Sequence, residues 1–127
     1  MNKKILVVDD EIEICRFVKS ALEEEDFQVE IALSGEEGIE KLQSGTFDAV
    51  LVDIRLEIGI SGIEVIRECR RMPSRPKVLV LSATPERLLK PDFEKEGVAD
   101  TVDLYLEKPL DLGPEAILRH IKKVLRK

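Results

Sequence analysis

Ala49-Val50-Leu51-Val52-Asp53-Ile54 is a short apolar run that ends on a carboxylate and resumes with an isoleucine. Consecutive apolar residues, β-branched at Val50 and Val52, read as a strand buried on both faces. Such strands lie at the centre of parallel sheets with helices packed on either side. In open sheets of this kind, chemistry sits beyond the carboxyl ends of the strands, which is where Asp53 falls. Taken alone, a loop-facing Asp that caps the next segment explains the residue equally well.

The same pattern recurs along the chain. Lys3 to Asp9 carries Ile5-Leu6-Val7-Val8 into Asp9-Asp10, and Lys77 to Ala83 carries Val78-Leu79-Val80-Leu81 into Ser82. Gln28 to Ala32 and Leu104-Tyr105-Leu106 are shorter versions, the last leading into Glu107-Lys108-Pro109. Amphipathic helical patterns lie between them. One carries Ile14, Cys15, Val18 and Leu22; another opens with the capping-box pair Ser34 and Glu37 and stops at Gly45, expected in the left-handed conformation. Ile63, Ile66 and Cys69 mark a third helix ending near Met72-Pro73, and Pro114 to Arg126 a last one. Thr84 to Asp103 contains Pro85 and Pro91, so a broken or delayed helix is expected there, over Asp92 to Glu96 with Gly97 as its stop. Strands alternating with helices predict a doubly wound α/β sheet, with residues 1–127 forming one domain.

Composition narrows the function. The chain has 127 residues, 43% hydrophobic and 36% charged, with a net charge of −6. That balance suits a globular domain and argues against a nucleic-acid surface over the whole of it. Aromatics are only 4%, too few for base-stacking platforms. The apolar run after Lys3-Lys4 is cut short by Asp9-Asp10-Glu11, so it is not a signal peptide, and no run reaches membrane-spanning length. Cys15 and Cys69 occupy helix core positions without metal-ligand spacing and read as free thiols of a cytoplasmic protein.

In a parallel sheet the strand ends share one edge, so Asp9, Asp10, Asp53, Ser82 and Lys108 converge. Clustered carboxylates repel one another and call for a cation. An all-oxygen set with few protein ligands suits Mg²⁺, which keeps waters and engages a substrate phosphate. Lys108 supplies a point charge for a phosphate oxygen, and the Ser82 hydroxyl a hydrogen bond. A central carboxylate in such a site is a candidate nucleophile that becomes an aspartyl phosphate.

Val7-Val8-Asp9-Asp10-Glu11, Leu51-Val52-Asp53, Ser82-Ala83 and Tyr105-Leu106-Glu107-Lys108-Pro109, in this order, make the chain resemble the receiver domains of bacterial two-component response regulators over essentially its whole length. The resemblance implies a flavodoxin-like (CheY-like) sheet of order 2-1-3-4-5. It implies that Asp53 accepts a phosphoryl group from a sensor histidine kinase or phosphotransfer protein. Asp10, Asp53 and the backbone carbonyl of Arg55 would hold Mg²⁺ directly, and Asp9 through water. Ser82 would be the switch hydroxyl, Lys108 the ion-pair partner of the phosphoryl site, and Tyr105 the aromatic that turns inward. Pro109 follows the lysine, where the family has a cis bond. A downstream protein partner is implied, and the partner face leaves homodimerisation open; direct nucleic-acid or membrane contact is not implied. Enzymatic activity would be confined to Mg²⁺-dependent self-phosphorylation and autodephosphorylation.

The family's usual Pro four residues after the phosphoacceptor and Gly eight after are replaced by Glu57 and Ser61, with Gly62 one residue late. The loop is therefore expected to be one residue longer. Arg55 stands where a long cation can screen attacking water, and is expected to alter autodephosphorylation. The Gly97-to-Tyr105 interval is longer than usual, which with Pro91 predicts a displaced fourth helix. His120 reads as a helix-face residue, and the Lys122 to Lys127 cations as complements of a helix C-terminus. Two other functions compete. One is a receiver-like interaction scaffold that no longer depends on phosphorylation. The other is an aspartyl-nucleophile hydrolase, against which stands the lack of an Asp-x-Asp spacing at the first strand.

Overall fold

The two strands that end in acids lie side by side. In the computed structural model, which describes residues 3–55, 61–109, 111 and 113–126, β1 (Lys4–Val8) pairs in parallel with β3 (Ala49–Asp53), Val7 opposite Leu51 and Val8 opposite Val52. β2 (Gln28–Ala32) flanks β1; β4 (Lys77–Ser82) and β5 (Leu104–Glu107) extend the sheet beyond β3. The order is 2-1-3-4-5, all parallel, as the resemblance implied. Every residue of β3 is buried, because helices cover both faces.

Side-chain alternation divides the interior into two layers. Ile5, Val7, Ala49, Leu51, Leu79, Leu81 and Leu106 face α1 (Ile12–Glu23) and α5 (Pro114–Leu125), meeting Cys15, Val18, Leu22, Ile117 and Ile121. Leu6, Val8, Val50, Val52, Val78 and Val80 face the other way, toward α2 (Gly35–Ser44), α3 (Gly62–Arg71) and α4 (Glu86–Lys95). Leu42, Val65, Ile66, Cys69 and Phe93 fill that second layer. Both cysteines are free and buried, and burial is the main reason each thiol is pushed up to about 12.

Local signals act as read from the sequence, with three differences. The Ser34 hydroxyl accepts from the Glu37 amide at 3.1 Å, but the Glu37 carboxylate reaches past the cap to the Leu33 N–H at 2.8 Å. Gly45 is extended (φ −156°) rather than left-handed. The α2 terminus is served instead by Ser44, whose hydroxyl donates to the Lys41 carbonyl at 3.3 Å.

The largest correction concerns Thr84 to Asp103. The helix is neither broken nor delayed: α4 runs from Glu86 straight through Pro91 to Lys95. Proline removes the N–H that would reach the Arg87 carbonyl, but Arg87 and Pro91 are both exposed, so water can serve that carbonyl. Phe93, only 1% exposed, anchors the helix against the sheet and outweighs the local penalty. Gly97 does take the left-handed conformation, at φ 77°. The extra length before Tyr105 forms a single 3₁₀ turn, Ala99–Thr101. This segment is tied to α3, with Arg70 bonded to Asp100 at 2.9 Å and Arg67 to Glu96 at 2.7 Å.

Glycine is obligatory at one position near β3. A Cβ on Gly62 would lie 2.6 Å from the backbone oxygen of Asp53 and 2.9 Å from the Ile54 Cα. The start of α3 is thus pressed against the chain that carries Asp53. Glu57 and Gly59 fall outside the described residues, as does the expected one-residue extension of the loop.

Replacing Pro91 by Ala restores an amide in an exposed helix interior. A proline there costs roughly 3 kcal/mol relative to Ala, partly offset by about 1 kcal/mol of unfolded-chain entropy. Pro91→Ala is therefore expected to stabilise the domain by about 1–2 kcal/mol, read as a higher urea midpoint. A lower midpoint would mean that the proline is a favourable part of α4.

Candidate phosphoacceptor site

β1 and β3 end at the same level, and their acids meet there. Carboxylate oxygens of Asp9, Asp10 and Asp53 all lie within 4.8 Å of one another. Asp9 is 1% and Asp53 5% exposed, while Asp10 is half-buried. Each buried acid is oriented by an amide two residues on. The Glu11 N–H donates to Asp9 Oδ1 at 2.9 Å, and the Arg55 N–H to Asp53 Oδ1 at 3.0 Å. These are Asx-type contacts, the local bonding habit of Asp at the end of a strand. Asp9 therefore orders the entry to α1, whose N-cap residue, Glu11, makes no side-chain cap of its own.

Lys108 reaches in from the end of β5. Its Nζ donates to Asp53 Oδ2 at 3.1 Å and lies 3.7 Å from Asp9 Oδ2. Burial disfavours the ammonium, but the charges of Asp53 and Asp9 outweigh it, and the Lys108 pKa rises. Asp9 Oδ2 is buried without a hydrogen-bond partner among the described residues. Burial, followed by the Asp53 charge, overrides the Glu11 amide and the lysine, and raises the Asp9 carboxyl to about 6. An all-oxygen cluster with an unsatisfied buried oxygen fits a hard divalent cation such as Mg²⁺.

The remaining residues singled out from the sequence lie on β4, on β5 and in the segments that follow β3 and β5. Ser82 ends β4, 2% exposed, and its Oγ accepts the Thr84 N–H at 2.9 Å. Its carbonyl accepts the Lys108 N–H at 2.8 Å, which fixes where the lysine leaves the sheet. Tyr105 lies beside Val80 in the β4–β5 register. Its ring packs on Phe93 with centroids 5.7 Å apart, and its hydroxyl is buried without a partner among the described residues. Burial, then Glu86 and Glu94, raise its pKa. Arg55 is exposed just past Asp53, and the Lys108–Pro109 peptide is cis.

Two contacts were not legible in the sequence. The Cys15 thiol donates to the Asp9 carbonyl at 3.3 Å, which gives a core cysteine a place beneath the acids. Asp111 accepts the Glu107 N–H at 2.8 Å and lies 3.2 Å from His120 Nε2, bracing the turn after Lys108 against α5. His120 is thus on a helix face as expected, but half-buried with a carboxylate partner. The Asp111-to-His120 spacing gives no hint of that contact before the turn is built.

Comparisons with known proteins agree with this fold. The family described as response regulator receiver domain matches residues 5–122. The response regulator ArlR of Staphylococcus saprophyticus is 34% identical over 125 residues, covering 98% of this chain and 53% of the relative. ArlR of Staphylococcus aureus is 30% identical over the same span. The chain thus spans about half the length of the curated relatives it matches. A CheY-like receiver domain protein from Methanospirillum hungatei has a TM-score of 0.84 at 28% identity, covering 99% of this chain and 95% of that one. TrrA from Thermotoga maritima, solved in complex with Mg²⁺ and a beryllium fluoride, has 0.78 at 33% identity, covering 97% and 99%. With the carboxylates at the ends of β1 and β3 and the lysine at the end of β5, the chain belongs to the response regulator receiver domain family, signalling modules of two-component systems.

Proposed function

We propose that Asp53 is the phosphoacceptor of this receiver domain, with Mg²⁺ held directly by Asp10, Asp53 and the Arg55 carbonyl, and by Asp9 through water. The observation that carries the reading is the convergence of three carboxylates, of which Asp9 and Asp53 pair with Lys108 and Asp9 Oδ2 is buried without a hydrogen bond among the described residues. An interaction scaffold indifferent to phosphorylation has no use for so costly a cluster. When bound, Mg²⁺ neutralises the carboxylates and draws charge from the phosphoryl oxygens.

The chain's own residues do the rest. Arg55 N–H holds Asp53 Oδ1, and Lys108 holds Oδ2, so the nucleophile is oriented before a donor arrives. A carboxylate oxygen of Asp53 forms the new bond to phosphorus as the bond to the donor's leaving group breaks, giving an aspartyl phosphate. Lys108 then pairs with a phosphoryl oxygen. Ser82, whose Oγ already accepts the Thr84 amide, has its hydroxyl proton free to donate to another. Moving Ser82 pulls Thr84 and the start of α4, and Tyr105 packs against the same helix through Phe93. The phosphodonor would be a sensor histidine kinase or phosphotransfer protein, and the readout a downstream protein. Residues 1–127 act in this reading as one domain. The free buried thiols suit a cytoplasmic setting, and no described helix is long and apolar enough to cross a membrane.

Incubation with Mg²⁺ and a small acyl phosphate is expected to add one phosphoryl mass to the intact chain. The adduct should be lost in Asp53→Asn and when Mg²⁺ is chelated. An adduct that survives Asp53→Asn refutes the assignment of Asp53, and one that forms in chelator refutes the need for Mg²⁺. Once formed, the adduct should decay at an altered rate, by about two- to tenfold, in Arg55→Ala, because the exposed guanidinium screens incoming water. An unchanged half-life removes Arg55 from the mechanism.

The Asp9 shift predicts a stability effect. A carboxyl raised in the folded state, to about 6 from an ordinary value near 4, contributes stability below that ordinary value and loses it as pH climbs through 6. At pH 7.5 without metal, Asp9→Asn should therefore be more stable than the wild type by about 1–2 kcal/mol. Mg²⁺ should raise the melting temperature of the wild type much more than that of Asp9→Asn. Its effect on the wild type should shrink as pH falls through 6 and protons compete. Equal Mg²⁺ stabilisation of both chains would remove Asp9 from the metal site.

A further inference from the structure

Away from the acids, α5 presents a stripe of opposite character. Glu115, Leu118, Arg119, Lys122, Lys123 and Arg126 line a groove of about 630 Å³ along its outer side. Their spacing places them on one face over roughly three turns, about 16 Å of helix. Ile117, Ile121 and Val124 point the other way into the core. The groove therefore carries four cations and one carboxylate on a chain whose net charge is −6. Lys122 is bonded to Glu25 at 3.1 Å, whereas Arg119, Lys123 and Arg126 form no ion pair among the described residues. Complementing the helix C-terminus accounts for cations in the last turn. It does not account for Arg119, which lies more than a turn earlier; Leu118, on the floor, packs against the core and is half-buried.

We propose that this groove is a docking surface for an acidic amphipathic segment of a partner protein, and that it is indifferent to the phosphorylation state of the domain. The partner's acids would pair with Arg119, Lys123 and Arg126, and an apolar side chain would rest on Leu118 and the aliphatic stems of the cations. A second copy of this chain is a poorer occupant. Its exposed acidic run, Glu23 to Asp26, adjoins α5 in the same molecule, where Glu25 already holds Lys122. An anionic bilayer would be repelled by the overall charge and is too broad for a groove one helix wide.

Indifference to phosphorylation follows from the sheet. By strand alternation Ser82 and Tyr105 face the layer that contains α4, with Tyr105 against Phe93. α5 lies on the opposite face, and no residue of β4, β5 or α4 lines the groove. The inference thus does not rest on Asp53 being phosphorylated, and it is tested without a phosphodonor.

The test is a titration of the isotopically labelled full chain, followed by NMR, with a blocked peptide of about twelve residues (three helical turns). The peptide is made of glutamates with leucine at every third or fourth position. Amide shifts are expected along 115–126, with a Kd of about 10–300 μM at low salt, weakening as salt is added. Arg119→Glu combined with Lys123→Glu should weaken binding at least about tenfold. Arg119→Gln, a milder change on the exposed face, should weaken it about two- to fivefold and serves if the double variant is unfolded. The affinity should be the same within about twofold with Mg²⁺ and beryllofluoride, and in Asp53→Asn. Shifts elsewhere, or none at millimolar peptide, overturn the proposal. So does equal binding of a lysine-for-glutamate peptide or of one with serine for leucine. Binding to phosphatidylserine vesicles with no peptide shifts would assign the groove to a membrane instead. Concentration-dependent self-association abolished by the double variant would assign it to a second copy.

Discussion

Three carboxylates forced onto one edge of a sheet, two of them paired with Lys108, are the constraint around which this domain is arranged. Like charges at this range raise one another's pKa unless something fixes and screens them. Here the fixing is done by β1 and β3, whose apolar residues are buried on both faces and cannot shift without opening two core layers at once. Amides of Glu11 and Arg55 orient the acids, and Lys108 answers part of their charge. What is left over falls on Asp9, whose second oxygen is buried without a hydrogen bond among the described residues. A site held in this state is less stable than its packing alone would allow, and its surplus negative charge suits a divalent cation.

The elements that could be read from the sequence are those whose signal does not depend on distant residues. Fully apolar runs bounded by polar residues identified β1, β3 and β4, and the acid or hydroxyl closing each run identified the site edge. A parallel sheet converts that one-dimensional pattern into convergence, so the sequence alone groups Asp9, Asp10, Asp53 and Lys108. Errors arose where a local rule met tertiary packing. Pro91 is a helix breaker by its own chemistry, yet Phe93 two residues later is buried so completely that the helix continues. Gly45 permits a left-handed stop, but Ser44 caps the helix by bonding back to Lys41, so the glycine is free to stay extended. Asp111 and His120 belong to a turn and a helix whose approach no periodicity encodes.

The two layers on either side of the sheet separate two kinds of behaviour. On the α4 side, the path from the site is short: Ser82 holds the Thr84 amide, Pro85 opens α4, and Phe93 bears on Tyr105. Within α4 the restraints are uneven. Its C-terminal end is held by Arg67 through both the carbonyl and the carboxylate of Glu96, and the following turn by Arg70 through Gly97 and Asp100. From Glu86 to Lys90, no side-chain hydrogen bond or ion pair is formed among the described residues, and Pro91 removes the amide that would otherwise reach the Arg87 carbonyl. On the phosphoacceptor reading, a pull on Ser82 therefore meets the weakly held first turn of α4, while the second half stays with α3. On the other side, α5 is locked to α1 and the sheet by Ile117, Ile121 and Val124, and the Asp111–His120 contact ties it to the turn after Lys108. A surface on a helix so restrained changes little when α4 moves. One small domain can thus carry a switched face and a constant one, divided by the sheet that also holds the acids in place.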